Sequence, residues 1–334
     1  MEEPVSNVRQ STRNLLKLSR RLHRDEENDL RRSLKATSIT SEDIARIASK
    51  LKTKSAVTVA ELRTLENGLM DDAKHIQVFL SVHGSLRGLV RELTGVHADK
   101  QCAAAACCCN LALGDVRTCT TLAKAAGSYL VAALDNLMLE LAVTCAWTLG
   151  NLAGSGDKVS HILTAQGALS KLSDHHTSEE MQDAAVYALL HFTQQMKDDL
   201  KEDHLQLILN ALSKLELTAS SSQLLFILSC HDHFVQNMSQ ELLGKVLTHL
   251  PNVIDMHNKQ TKICYDLIYI VRVLANCDSK YEIILNYCVC NNIFNDLKYI
   301  LSRKNLVVND SLLWLIGNLY MCCGDDNLFL KLLT

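Results

Sequence analysis

A repeat of about 40 residues constrains this 334-residue chain more than any other feature. Three segments open on glycine and run into a short apolar helix: Gly84 in GSLRGLVREL, Gly127 in GSYLVAALDN and Gly167 in GALSKLSDH, spaced by 43 and 40 residues. Downstream of each lies a longer apolar helix, anchored at Asn110, Asn151 and His191 with spacings of 41 and 40. The register continues through Cys230, Val273 and Asn318 at spacings of 39, 43 and 45, which completes six units. A glycine at the same point of successive units marks either a backbone with positive φ or a helix crossing too close for a side chain.

A period near 40 built only from helices fits armadillo or HEAT arrays and excludes 34-residue helical pairs and propeller blades. Only two prolines and an abundance of Leu, Ala and Ser support helices over strands. Each unit is expected to supply a short helix, a long inner helix and a connecting helix. None of these buries its apolar side alone, so neighbouring units must stack into one continuous core. An irregular helical bundle is the alternative, but a bundle has no reason to hold glycine starts and helix anchors in constant register. Residues 55–334 are therefore read as the repeat domain. Within it, 55–83 form an N-terminal cap in which Val59, Leu62, Leu65, Leu69 and Ile76 keep near-helical spacing. DNLFLKLLT, after the sixth inner helix, is too short for another unit and reads as a minimal cap or a truncated end.

The chain has two tryptophans, and each stands four residues before an asparagine: Trp147 with Asn151, and Trp314 with Asn318. A separation of four places both side chains on one helix face, one turn apart. An Asn amide offers a donor and an acceptor that match the N–H and C=O of an extended peptide without reading its sequence. A Trp plane beside it makes a slot for the aliphatic stem of Lys or Arg, with cation–π attraction for the head group. Plain core packing for the Trp residues and helix-exit capping for the Asn residues are the alternatives.

The segment CAWTLGNLAGSGDKVSHILTAQGAL resembles an importin-α armadillo repeat, with its W-x-x-x-N helix, Gly-rich exit and A-x-G-A turn, and LLWLIGNLYMCCGDD repeats the core of that motif. The resemblance spans residues 84–320. It implies an all-α, armadillo-type, right-handed superhelical solenoid of about six three-helix repeats. It also implies a groove that holds basic nuclear localisation signals, with Trp147, Asn151, Trp314 and Asn318 as peptide contacts. Asn110 and Tyr187 occupy ladder positions of the first and third units and are carried as further contacts. The ladder is broken: Ala106 stands where Trp is expected in the first unit, Tyr187 and His191 hold the third, Phe226 and Cys230 the fourth, and Tyr269 and Val273 the fifth. Asp157, just past the second inner helix, is a candidate for a lysine ammonium or simply a solvated loop carboxylate.

The net charge of −3 hides an asymmetry, since residues 1–54 hold 13 Lys/Arg against 8 Asp/Glu. The leader is about +5 and the body about −8, too mild for a chain-wide nucleic-acid surface. Within NVRQSTRNLLKLSRRLHRDEENDLRRSLKA, leucines 15, 16, 18, 22, 30 and 34 alternate with charge as in an amphipathic helix. By position this leader resembles the importin-β-binding segment of importin-α, although Arg20-Arg21 and Arg31-Arg32 are only doublets. A solvated helix, a coiled-coil segment and a membrane-surface or nucleic-acid contact stay open as alternatives.

Thirteen cysteines in a chain that opens without a signal-peptide pattern point to a reducing compartment. Cys102, Cys107, Cys108 and Cys109 lie in an Ala-rich run, where cysteine serves as a small apolar residue and no paired metal-ligand spacing accompanies them. No uninterrupted apolar stretch reaches the 18 or so residues of a span, and CYDLIYIVRVLANC carries Asp266 and Arg272. No transmembrane span is expected. Gly-rich phosphate loops, nucleophile elbows and HExxH are missing from the sequence, so no enzyme, cofactor or metal is expected. The expectation is an adaptor for nuclear import, cytoplasmic and nuclear, that binds proteins carrying basic extended segments and takes importin-β on residues 1–54. The alternative is a general scaffold for another extended partner.

Overall fold

The computed structural model describes residues 39–174, 178–196, 199–260, 263–303 and 305–323, and divides after Leu172 into two compact units. All regular structure among the described residues is helical.

Unit 1 opens with α1 (Ser41–Thr53) and α2 (Val59–Asp71), and each starts where a threonine makes a capping box. Thr40 Oγ1 accepts from Asp43 N while Asp43 accepts from Thr40 N, and Thr58 and Glu61 repeat the exchange. There follow α3 (Ala73–Ser81), α4 (Ser85–Leu93), α5 (Ala98–Leu111), α6 (Val116–Ala133), α7 (Leu139–Ala153), α8 (Asp157–Ala165) and α9 (Ala168–Asp174). Helices α2, α5 and α7 stack side by side as an inner row, backed by α1, α4, α6 and α8. The run ADKQCAAAACCCNL of α5 has no polar stripe because it is packed on both sides, by α2 and by α7. Ala103, Ala104, Ala105, Cys107 and Cys108 are fully buried there, and their small volume sets the close approach of the row.

Two expectations change in this unit. The cap region holds two helices, α2 and α3. The basic leader was drawn to residue 54, yet α1 lies within it and buries Ile44, Ile47, Ala48 and Leu51 in the unit 1 core; residues 1–38 of that leader lie outside the described residues. Gly84 and Gly167 do take positive φ, +95° and +88°, at helix bends. Gly127 does not bend the chain; it sits inside the continuous helix α6, where a Cβ would come within 2.8 Å of Leu163 Cδ2 on α8. Of the two uses of glycine, this position takes the close crossing.

Unit 2 stacks the inner helices α10 (Glu179–Met196), α12 (Ala219–Ser229), α15 (Tyr265–Ala275) and α18 (Leu306–Cys323) in that order. Behind them lie α11 (Glu202–Lys214), the single turn α13 (Phe234–Asn237), α14 (Gln240–Lys259), α16 (Tyr281–Cys290) and α17 (Ile293–Ser302). The bend between α16 and α17 is made by Asn292 at φ +58°, so asparagine here does the work of the glycines of unit 1. Among the described residues, α18 is the one helix long and apolar enough to cross a membrane, with a mean hydropathy of 1.4. Asn309, Asp310 and Asn318 interrupt its apolar run without lowering the average much. A third of it is buried within the protein. Its polar groups are tied to neighbouring helices: Asn309 donates to Leu301 O at 3.1 Å and Asn318 to Ala275 O at 2.8 Å.

The repeat period is also written in hydrogen bonds. Side chains reach back one repeat to a main-chain carbonyl from Arg91 to Leu51 (3.0 Å), Cys107 to Leu62 (3.3 Å), Asn110 to Glu66 (2.7 Å) and Gln166 to Ala123 (3.3 Å). Each closes a carbonyl near a helix end or within a helix row, contributing about 1 kcal/mol net per bond.

Candidate functional site

The inner helices share one position that is left uncovered while its neighbours are buried. In unit 1 it is held by Ala106 on α5 and Trp147 on α7, both half-buried. In unit 2 it is held by Tyr187 on α10, Phe226 on α12 and Tyr269 on α15, all half-buried, and by Trp314 on α18, which is 55% exposed. The residue before it is buried in five of the six helices: Ala105, Ala146, Val186, Leu225 and Ile268. Within each unit this position is partly exposed, and across the two units it is aromatic in five of six inner helices, so aromatic side chains recur on the inner helices with part of their surface in solvent.

The position four residues later behaves differently. Asn110 and Asn151 are 5% and 3% exposed, and their amides turn back onto the preceding repeat. Asn110 Nδ2 donates to Glu66 O, and Asn151 Nδ2 lies 3.4 Å from Cys109 Sγ. Asn318 is half-buried and donates to Ala275 O. His191 is buried with its ring 4.5 Å from Tyr187 in an edge contact. In the fifth repeat Val273 is fully buried, and the bridging amide belongs to Asn276, which donates to Ser229 Oγ at 2.9 Å. These asparagines thus tie each repeat to the one before it, while the aromatic position keeps part of its surface in solvent. Asp157 is exposed at the start of α8, where its carboxylate accepts from Lys158 N at 2.6 Å.

Two arginines that sequence reasoning passed over shape this face. In unit 1, Arg63 on α2 is 2.9 Å from Glu66 and 3.8 Å from Glu140. Glu140 stands two turns before Trp147 on the same face of α7, so Arg63 spans the shallow Ala-rich surface of α5 to reach it. Burial disfavours the Arg63 charge, but the Glu66 hydrogen bond and the two carboxylates outweigh this and hold it more firmly protonated. In unit 2, Arg272 on α15 donates from Nε to Ser311 Oγ at 2.9 Å, and its guanidinium lies 5.7 Å from the Phe226 ring centroid. Phe226 and Tyr269 stack on each other, centroids 5.7 Å apart and planes 22° apart. Unit 2 therefore already contains a cation on an aromatic face, supplied by the chain itself. Arg63 and Glu66 form a local i,i+3 pair on α2, but the contacts of Arg63 with Glu140 and of Arg272 with Ser311 and Phe226 cross between repeats, where no local spacing reveals them.

The thiols of α5 are part of the core. Burial pushes Cys108 up to about 12 and Cys107 and Cys145 well above the usual thiol range, so all three stay protonated and unreactive. Among the described residues, no group of three or more His, Cys, Asp or Glu side chains is placed to hold a metal ion.

No protein-family model and no curated protein matches the chain. Solved structures do match it. An engineered protein determined as a structural-genomics target superposes with a TM-score of 0.67 at 18% identity, over 83% of this chain and 68% of its own. A crystal structure of computationally designed armadillo repeat proteins for modular peptide recognition superposes with a TM-score of 0.56 at 20% identity, over 70% of this chain and 99% of its own. At such identities the likeness is one of fold: the chain is an all-α, armadillo-type repeat array.

Proposed function

We propose that the chain is a non-enzymatic scaffold that binds an extended protein segment along its inner helices, and that in unit 1 this segment is basic. The observation that carries the reading is the partly exposed aromatic position recurring on the inner helices of each unit, with Glu140 two turns before Trp147 on the same face of α7. An extended segment laid along α7 sets one lysine or arginine stem against Trp147 and a second cationic head group toward Glu140, a combination of cation–π and charge attraction. That the structurally similar designed arrays were made for peptide recognition supports the general reading. The resemblance to importin-α supports the sharper one, an adaptor that carries proteins bearing basic localisation signals between cytoplasm and nucleus. In that role Asn151 and Asn110 back the Trp147 slot, Tyr187, Trp314 and Asn318 extend the contact for longer segments, and the basic leader engages importin-β.

The test is a titration of a lysine- and arginine-rich peptide against the full chain by calorimetry. Trp147→Ala is expected to weaken binding about tenfold, or ~1.4 kcal/mol. Unchanged affinity in this variant sinks the basic-segment reading, while binding of non-basic extended peptides would leave the general scaffold standing. For the leader, the truncation must stop at residue 38, because α1 belongs to the unit 1 core. Loss of importin-β capture on removing 1–38 is the expected result, and equal capture rejects that role.

A further inference from the structure

Three arginines are half-buried among the described residues: Arg63, Arg91 and Arg272. A guanidinium taken partly out of water is ordinarily matched by a carboxylate. Arg63 has Glu66 and Glu140, and Arg91 has Glu92. Arg272 has none: among the described residues its side chain has one hydrogen-bond partner, the Ser311 hydroxyl, which accepts from Nε at 2.9 Å. The nearest carboxylates in sequence are otherwise placed. Asp266, on the same helix, is buried and turned to His249 on α14, 3.3 Å away. Asp310 is exposed beside Ser311 on α18 and forms no ion pair with Arg272.

The neighbouring helices hold this guanidinium in one orientation. Ser311 donates its own proton to Val307 O at 3.4 Å, so an oxygen lone pair is left for Arg272 Nε. The guanidinium carbon lies 5.7 Å from the Phe226 ring centroid, and Phe226 stacks in turn on Tyr269, one turn before Arg272 on α15. Nε is thus spent on α18 and one face of the group on α12. The N–H donors of its two terminal amino groups meet no acceptor among the described residues. Two such donors side by side match the two oxygens of a carboxylate. Exposed aromatic surface borders them: Trp314, 55% exposed, stands one turn past Ser311, and Tyr265, 57% exposed, stands two turns before Arg272 on the same face of α15.

We propose that the inner face of unit 2 binds an extended acidic protein segment, with an aspartate or glutamate of the segment paired to Arg272 and its apolar neighbours laid on Trp314 and Tyr265. The fork geometry selects a carboxylate, and the prior anchoring of Nε and of the guanidinium face lowers the entropy lost when the pair forms. This ligand is opposite in charge to the segment proposed for unit 1, and the site stands on Arg272 whatever unit 1 holds.

The emission of Trp314 in the full chain carrying Trp147→Phe tests this. A short peptide of alternating Asp and Leu, blocked at both ends so that its side chains are the only anions, is expected to shift or quench that emission saturably. The same peptide with Asn in place of Asp is expected to bind at least about tenfold more weakly, the size of a hydrogen bond to a charged group. Arg272→Gln, with an unchanged circular dichroism spectrum, is expected to weaken the Asp peptide to the same degree. The peptide comparison is made on one folded chain, so it holds whether or not that variant folds. No saturable response of Trp314, equal affinity for the Asp and Asn peptides, undiminished affinity in folded Arg272→Gln, or a response found only from Trp147 in Trp314→Phe would each overturn the proposal.

Discussion

Units 1 and 2 stack their inner helices in the same manner but differ in what fills the spaces between them. Unit 1 uses small residues: the Ala and Cys run of α5 brings α2, α5 and α7 close, and buried amides of Asn110 and Asn151 tie the repeats together. Unit 2 uses large ones: Phe226 stacks on Tyr269 with Arg272 beside them, and the amide ties fall at Asn276 and Asn318. The same backbone period thus accommodates two surfaces. The first has one tryptophan and a carboxylate two turns apart on one helix face, and the second has its cation–π site occupied from within. A shared fold does not make every groove position equivalent; the side chains that fill the inter-helix spaces decide which positions accept a ligand.

The difference is sharpest in thiol chemistry. All six cysteines of unit 1 are buried, and one of them, Cys108, is pushed up to about 12, which leaves roughly a thousandth of the thiolate of an ordinary thiol. In unit 2 Cys230, Cys290 and Cys322 are exposed. Alkylation of the native chain at pH 8, read by peptide mass spectrometry, should label these three and spare unit 1. Comparable labelling of Cys108 would mean that the α5 packing is looser than described.

Close packing predicts the next effect. A Cβ at Gly88 on α4 would come within 2.6 Å of the Leu51 carbonyl carbon, whereas at Gly317 on α18 it would meet nothing. Gly88→Ala should lower stability by about 3 kcal/mol through overpacking, while Gly317→Ala should raise it by about 0.5–1 kcal/mol through reduced unfolded-state freedom. Urea midpoints measure both, and equal effects would remove the contrast between the units.

A smaller effect is expected for the two arginines. Arg63→Ala releases Glu140 for an incoming cation and should tighten basic-peptide binding about threefold, ~0.6 kcal/mol, the size of one partly exposed ion pair. Arg272→Ala should change affinity for a short peptide less, because the stacked Phe226 and Tyr269 still fill the space. Weaker binding in Arg63→Ala would show that this side chain supports the site and does not compete for it.

Much of this was legible in the sequence because repeats leave a signal that single elements do not. Gly84 and Gly167 hold their register because each answers a local demand for positive φ, and Asn110 and Asn151 because the tie to the preceding repeat recurs with the fold. Gly127 misled because a helix crossing and a bend both exclude a side chain, and only the neighbouring helix α8 decides between them. Val273 misled because the amide tie follows the end of α15, one turn beyond the counted position, at Asn276. The bridge from Arg63 to Glu140 and the contacts of Arg272 cross between repeats, which no spacing within one repeat encodes.

Because the chain has one tryptophan in each unit, its fluorescence separates the two surfaces directly. In Trp314→Phe, a short lysine- and arginine-rich peptide should shift or quench the Trp147 emission saturably, while in Trp147→Phe the Trp314 emission should stay unchanged over the same range. A response confined to Trp314, or no saturable response from Trp147, would contradict the claim that unit 1 holds the basic segment.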